Sequence, residues 1–89
     1  MISAVVTVIN KLGLHARAAT KLVNCASGFN AEVNLTRGAR EVNAKSIMGV
    51  LTLAASIGTE LTITADGSDE KVALKALLAL VNDRFGEGE

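Results

Sequence analysis

Apolar residues take every second place at the start of the chain: Ile2, Ala4, Val6 and Val8, with Ser3, Val5, Thr7 and Ile9 between them. A period of two with β-branched residues predicts a strand over Ile2–Ile9. Asn10–Leu14 breaks the pattern at Gly13 and reads as a loop. From Ala16 to Ser27 the spacing turns helical, with Ala19, Leu22, Val23 and Ala26 on one face. Gly28 is expected to end that helix in the left-handed conformation. Alternation returns over Glu32–Thr36, where Val33 and Leu35 share a face. The Arg37-Gly38-Ala39 turn and the short strand Arg40–Asn43 complete a hairpin. Ser46 is placed to cap a short helix over Ile47–Leu53, reaching toward Ala55, and Gly58-Thr59 interrupts it. A fourth strand, Glu60–Ala65, points Leu61, Ile63 and Ala65 inward, and Asp66-Gly67 turns the chain. Ser68 is expected to cap the last helix, with Asp69 and Glu70 supplying negative charge to its first turn. Its predicted inner stripe is Val72, Ala73, Ala76, Leu77, Leu80 and Val81, flanked by Leu74 and Leu78. Residues 86–89 are expected to fray.

The order βαββαβα predicts an α+β two-layer open-faced sandwich. Its four-stranded, mainly antiparallel sheet carries three helices on one face and leaves the other to solvent. At 89 residues the chain suits one domain, spanning 1–89. Hydrophobic residues make up 49%, so a core is available, but Phe29 and Phe85 are the only aromatics and the core must be aliphatic.

Nine basic residues balance nine acidic ones. Without a basic footprint or aromatic stacking platforms, nucleic-acid binding is not expected. Cys25 is the only cysteine, which excludes an intrachain disulfide and suits a reducing cytoplasm. It reads as structural filler, with no second cysteine or neighbouring histidine to make a metal set. The apolar opening is too short for a membrane span and has no basic leader, so a soluble cytoplasmic protein without membrane insertion is expected. No Gly-rich nucleotide cradle occurs, and neither cofactor nor metal is expected.

The chemistry concentrates at His15, the only histidine. It stands where strand gives way to helix, beside the free N–H groups of a helix start, with Arg17 two residues on. A neutral imidazole nitrogen is a competent nucleophile near neutral pH. The backbone N–H groups of Ala16 and Arg17 are candidates to bind phosphate oxygens, and the Arg17 guanidinium to pair with phosphate or with an acidic partner.

Gly13-Leu14-His15-Ala16-Arg17-Ala18-Ala19 resembles the active-site signature of the histidine-containing phosphocarrier protein (HPr) family of the bacterial phosphotransferase system. Asn43-Ala44-Lys45-Ser46-Ile47-Met48-Gly49 resembles that family's second signature, around a regulatory serine. The two stand in register without a gap, and Asn10–Ala19 with the acidic end looks most like the nitrogen-related branch, NPr. The resemblance implies a phosphoryl carrier in a relay, not an enzyme. It takes phosphate from enzyme I onto Nδ1 of His15 and passes it to a histidine of an A-type enzyme II component. In that relay His15 is the nucleophile and Arg17 its charge partner. Ala18 departs from the proline usual in the family, so the helix start is expected to persist with more freedom.

Ser46 is first a helix cap. In some bacteria the matching serine is phosphorylated by an ATP-dependent HPr kinase/phosphorylase, so regulation there is the second reading. Ile47 and Met48 are expected to face outward near His15 and to form a docking patch with Thr20, Lys21, Lys45, Gly49 and Leu51. Methionine suits a surface that must fit two partners in turn. The chain is expected to work as a monomer. Three alternatives stay open: an HPr-like binding module that carries no phosphate, a sugar-pathway HPr, and a generic domain that binds a small anion at the helix start. Asn24, Ser27 and Gly49 leave only Arg17, Lys21 and Lys45 as positive charge near the site, which favours the nitrogen-related reading over the sugar one.

Overall fold

A computed structural model describes residues 1–87. Strand β1 is Ile2–Thr7, helix α1 Ala16–Ser27, strands β2 and β3 Glu32–Arg37 and Arg40–Asn43, helix α2 Ile47–Thr52, strand β4 Glu60–Asp66 and helix α3 Glu70–Asn82. A short turn of 3-10 type, Arg84–Gly86, follows. The four strands form one sheet in the order β1-β4-β2-β3, every pair antiparallel. The predicted fold class is the one observed.

The register explains why alternation in the sequence makes one core. Ala4 lies opposite Ile63, Ile63 opposite Leu35 and Leu35 opposite Val42. One row of apolar side chains therefore crosses the whole sheet on the helix side. Val6, Val8, Val33 and Leu61 add to it and are buried, as are Leu22 of α1, Val50 of α2 and Leu77 of α3 above them. Ser3, Val5 and Thr7 occupy the open face and are exposed.

Three local expectations are corrected. Helix α3 buries Ala73, Leu74, Leu77 and Val81, while Val72 is 61% exposed. The segment is apolar almost all round, so two stripes fit the same period and packing selects between them. The choice is fixed at the helix start, where the N-cap is Asp69 and not Ser68. Asp69 does not cap its own helix. Its carboxylate accepts from the backbone N–H groups of Asn30 and Ala31, both at 2.8 Å, and ties α3 to the segment leading into β2. Gly28 ends α1 at φ −76°, in the right-handed region. Its N–H bonds to Cys25 O, and Phe29 N–H to Ala26 O, so the helix tightens at its end and needs no left-handed residue.

The fourth correction concerns the C-terminal segment. Gly86 and Glu87 do not fray. Arg84, Phe85 and Gly86 take consecutive positive φ angles of 54°, 54° and 72°, a hook that reverses the chain after α3. Phe85 is 1% exposed in the core, and its carbonyl accepts from Lys21 Nζ at 2.6 Å. Non-glycine residues in this region are strained; burial of the ring and the lysine bond hold them there. Gly88 and Glu89 lie outside the described residues.

Candidate functional site

The site is assembled from the Asn10–Leu14 loop, the start of α1 and the C-terminal hook. Asn10 is fully buried and closes the loop on itself: its Nδ2 donates to Gly13 O at 2.8 Å, and its own carbonyl accepts from Gly13 N. Leu14 N donates to Ala55 O at 2.8 Å, which seats the loop against the segment after α2. Gly13 is required there. It has φ +66°, and a Cβ would stand 2.8 Å from Ser56 Cα. These bonds hold the loop that leads into His15.

His15 is the N-cap of α1, extended at φ −76° and ψ 179°, and its carbonyl accepts the first helical bond, from Ala19 N. Its ring replaces the usual capping oxygen. Nδ1 accepts from Arg17 N–H at 3.3 Å, while Nε2 stands 2.6 Å from Glu87 Oε2. A nitrogen that accepts a hydrogen bond carries no proton, so these partners assign the ring proton to Nε2 and the free lone pair to Nδ1. The imidazole is partly exposed, at 27%, and the Glu87 side chain largely covered, at 10%.

Glu87 Oε1 accepts from Asn10 Nδ2 at 3.0 Å. Burial opposes ionisation of this carboxyl. The hydrogen bonds from His15 and Asn10, with the nearby positive charge of Lys21, outweigh burial and hold it below the ordinary Glu range. Neither Asn10 nor Glu87 was expected at the site. A pocket of about 120 Å³ is lined by Lys11, Leu12, Arg17 and Glu87, the last two of which also bond the His15 ring. Ala16 is exposed, and among the described residues Arg17 has no ion-pair partner.

The remaining predicted site residues lie along the seam between α1 and α2. Ser46 caps α2, its Oγ accepting from Gly49 N at 3.2 Å. Met48 is 69% and Ile47 37% exposed; Thr20 is exposed, and Gly49 and Leu51 are half-buried. Lys21 is turned to the hook by its bond to Phe85 O. Lys45 is the exception to the expected neighbourhood. Its Nζ donates to Phe29 O at 2.8 Å, beyond the C-terminal end of α1. Helix α2 therefore starts at the far end of α1 and finishes by the His15 loop. The Lys45 ammonium is therefore held at the end of α1 opposite His15. Cys25 is half-buried, and burial raises its thiol above the usual range, which disfavours the reactive thiolate. No group of metal-ligating side chains occurs among the described residues.

The family described as "PTS HPr component phosphorylation site" matches residues 2–83. The chain belongs to the HPr family. It is 58% identical over 83 residues to the phosphocarrier protein HPr of Cupriavidus necator, covering 93% of both proteins. It is 46% identical over 82 residues to the phosphocarrier protein NPr of Shewanella violacea, covering 92% of this chain and 90% of that one. The crystal structure of HPr-C-His from Thermoanaerobacter tengcongensis superposes with a TM-score of 0.95 at 41% identity, over 98% of each chain. As a member of the HPr family the chain is a phosphocarrier of the phosphotransferase system and not an enzyme. No helix among the described residues is long and apolar enough to cross a membrane.

Proposed function

We propose that His15 carries the phosphoryl group on Nδ1, taking it from the phosphohistidine of enzyme I and handing it to a histidine of an A-type enzyme II component in the cytoplasm. The observation that carries this reading is the state of the ring: Nδ1 holds a lone pair at the open start of α1, against Arg17 N–H. Attack by that lone pair on phosphorus leaves Arg17 N–H, the neighbouring Ala16 N–H and the Arg17 guanidinium to meet the phosphate oxygens. Positioning and charge stabilisation dominate phosphoryl transfer, and this site offers both.

Partner docking is assigned to the seam of exposed Ile47 and Met48 with half-buried Leu51 and Gly49 and exposed Thr20. Lys21 and Lys45 border it, with their ammonium groups bound to backbone carbonyls. That leaves Arg17 and Lys11 as the cations facing the pocket. So little free positive charge favours the nitrogen-related regulatory branch as a second reading, against the greater identity to the HPr relative. Ser46 is assigned its cap role, with regulatory phosphorylation as the second reading of the same residue.

Incubation with enzyme I and phosphoenolpyruvate tests the reading. One acid-labile phosphate is expected on the wild type and none on His15→Ala, which keeps the fold. Met48→Glu is expected to slow transfer while the site still accepts phosphate. Parallel transfer to nitrogen-type and sugar-type acceptors decides the branch. A stable phosphoprotein from His15→Ala would refute the assignment of the carrier residue.

A further inference from the structure

The HPr-family reading accounts for His15 and Arg17 but gives no work to the carboxylate on the opposite edge of the ring. We propose that Glu87 is a positioning residue for the carrier: its carboxylate holds the proton on His15 Nε2 and balances the positive charge the ring acquires when Nδ1 is phosphorylated. This rests on the assignment of His15 as the carrier and extends it to the half of the imidazole that does not touch phosphorus.

The geometry is specific. Glu87 Oε2 is 2.6 Å from Nε2, a close contact slightly shorter than the usual charge-assisted N–H···O hydrogen bond. Its other oxygen is fixed by Asn10 Nδ2, which is itself fixed to Gly13 O. The backbone delivering it is held by the buried Phe85 ring and by Lys21. Three residues at positive φ are needed to turn the chain back to the site. Orientation of an imidazole by a carboxylate on its far nitrogen is how His–Asp pairs keep a histidine in the reactive tautomer.

The step balances without any proton leaving. The Nδ1 lone pair attacks phosphorus, the bond from phosphorus to the donor's nitrogen breaks, and its electron pair stays with the donor imidazole. The His15 ring now bears phosphoryl on Nδ1 and a proton on Nε2, and is cationic. Glu87 faces that proton. In onward transfer the acceptor nitrogen attacks, the Nδ1–phosphorus pair returns to the ring, and a neutral imidazole with its proton still on Nε2 leaves. Were the Nε2 proton lost from the phosphorylated ring, the leaving group would be an imidazolate, which departs poorly. By keeping the proton in place, Glu87 keeps the carrier ready to donate.

Two measurements on Glu87→Ala and Glu87→Gln test this. In the unphosphorylated wild type, proton NMR is expected to show a downfield Hε2 resonance of His15 protected from exchange. It should vanish in Glu87→Ala and persist, less shifted, in Glu87→Gln, whose amide oxygen still accepts. With saturating partners, kcat for acceptance and for donation should fall roughly tenfold in Glu87→Ala, the lower end for losing a charge-assisted hydrogen bond at a part-exposed site. KM for enzyme I should stay unchanged, and Glu87→Gln should fall between the two. If Glu87→Ala keeps the Hε2 resonance, or transfers at the wild-type rate, the proposal is overturned. Failure of the wild type to accept phosphate would instead strike the carrier reading, and the NMR measurement would still judge the Glu87–His15 pair by itself.

Discussion

Asn10 shows how much one buried side chain settles. It donates in two directions, to Gly13 O and to Glu87 Oε1, and its Oδ1 is buried with no partner in the structure. Both neighbours are acceptors, so the position requires a donor. Asn10→Ala is expected to cost about 1–2 kcal/mol, the net of two lost bonds and a stranded carbonyl against relief of the orphan oxygen. Asn10→Asp should cost more, about 3 kcal/mol or beyond, because it buries a charge against two acceptors, one of them the Glu87 carboxylate. Urea denaturation of the pair gives the order; equal losses would mean that Asn10 is packing alone. His15 and Arg17 were legible in the sequence because their chemistry is local, two residues apart at a helix start. Asn10 read only as a loop residue and Glu87 as part of a loose end, because the contact that joins them spans 77 positions.

At the scale of the element, the periods of two and 3.6 located every strand and helix, and the limits of α1 and β3 were read to the residue. Rotation about a helix axis was legible only where one stripe was apolar. In α1 polar residues leave a single choice; in α3 they do not, and Asp69 decides it from outside the helix. Backbone N–H groups of Asn30, first in weight, and Ala31 hold the Asp69 carboxyl below its ordinary value, though partial desolvation opposes them. A lowered native pKa means stability that is complete above the unfolded value of 3.8 and is lost as the pH falls below it, through the native value. Global stability should therefore drop with acid below about pH 4, and Asp69→Asn should flatten that drop and be less stable at pH 7. The start of α1 offers a test of the departure at Ala18. The helix begins at Ala16 without proline, as expected, and Ala18 is fully buried in its first turn. Ala18→Pro is expected to stabilise by about 0.4–1 kcal/mol through the unfolded chain. A lower melting temperature would show that the ring cannot enter the space the alanine fills.

Across the whole molecule, the C-terminal hook is where fold and site become one construction. The apolar run of α3 made a helix predictable, but nothing local announces that Phe85 will turn back into the core, since a lone aromatic among Asp, Arg and Gly reads as an end. Its burial can be seen only once the sheet and α1 are in place to receive it. The two parts of the hook separate by experiment. Phe85→Ala is expected to cost about 3–5 kcal/mol, as for other buried aromatics. In a domain of this size that lowers the melting temperature by something on the order of 15–25 °C. Phe85→Leu should keep most of the stability, because much of the volume is refilled. Glu87→Ala removes a partly exposed pair and should change melting far less. The ring is thus expected to govern stability and the carboxylate the chemistry. The ring also delivers the carboxylate. Below its own melting point, folded Phe85→Ala should lose the protected Hε2 resonance of His15 together with its stability, whereas Phe85→Leu should keep both. If Phe85→Ala melts early yet retains that resonance, the Glu87 contact does not depend on the hook, and Asn10 and His15 alone would be enough to hold the carboxylate in place.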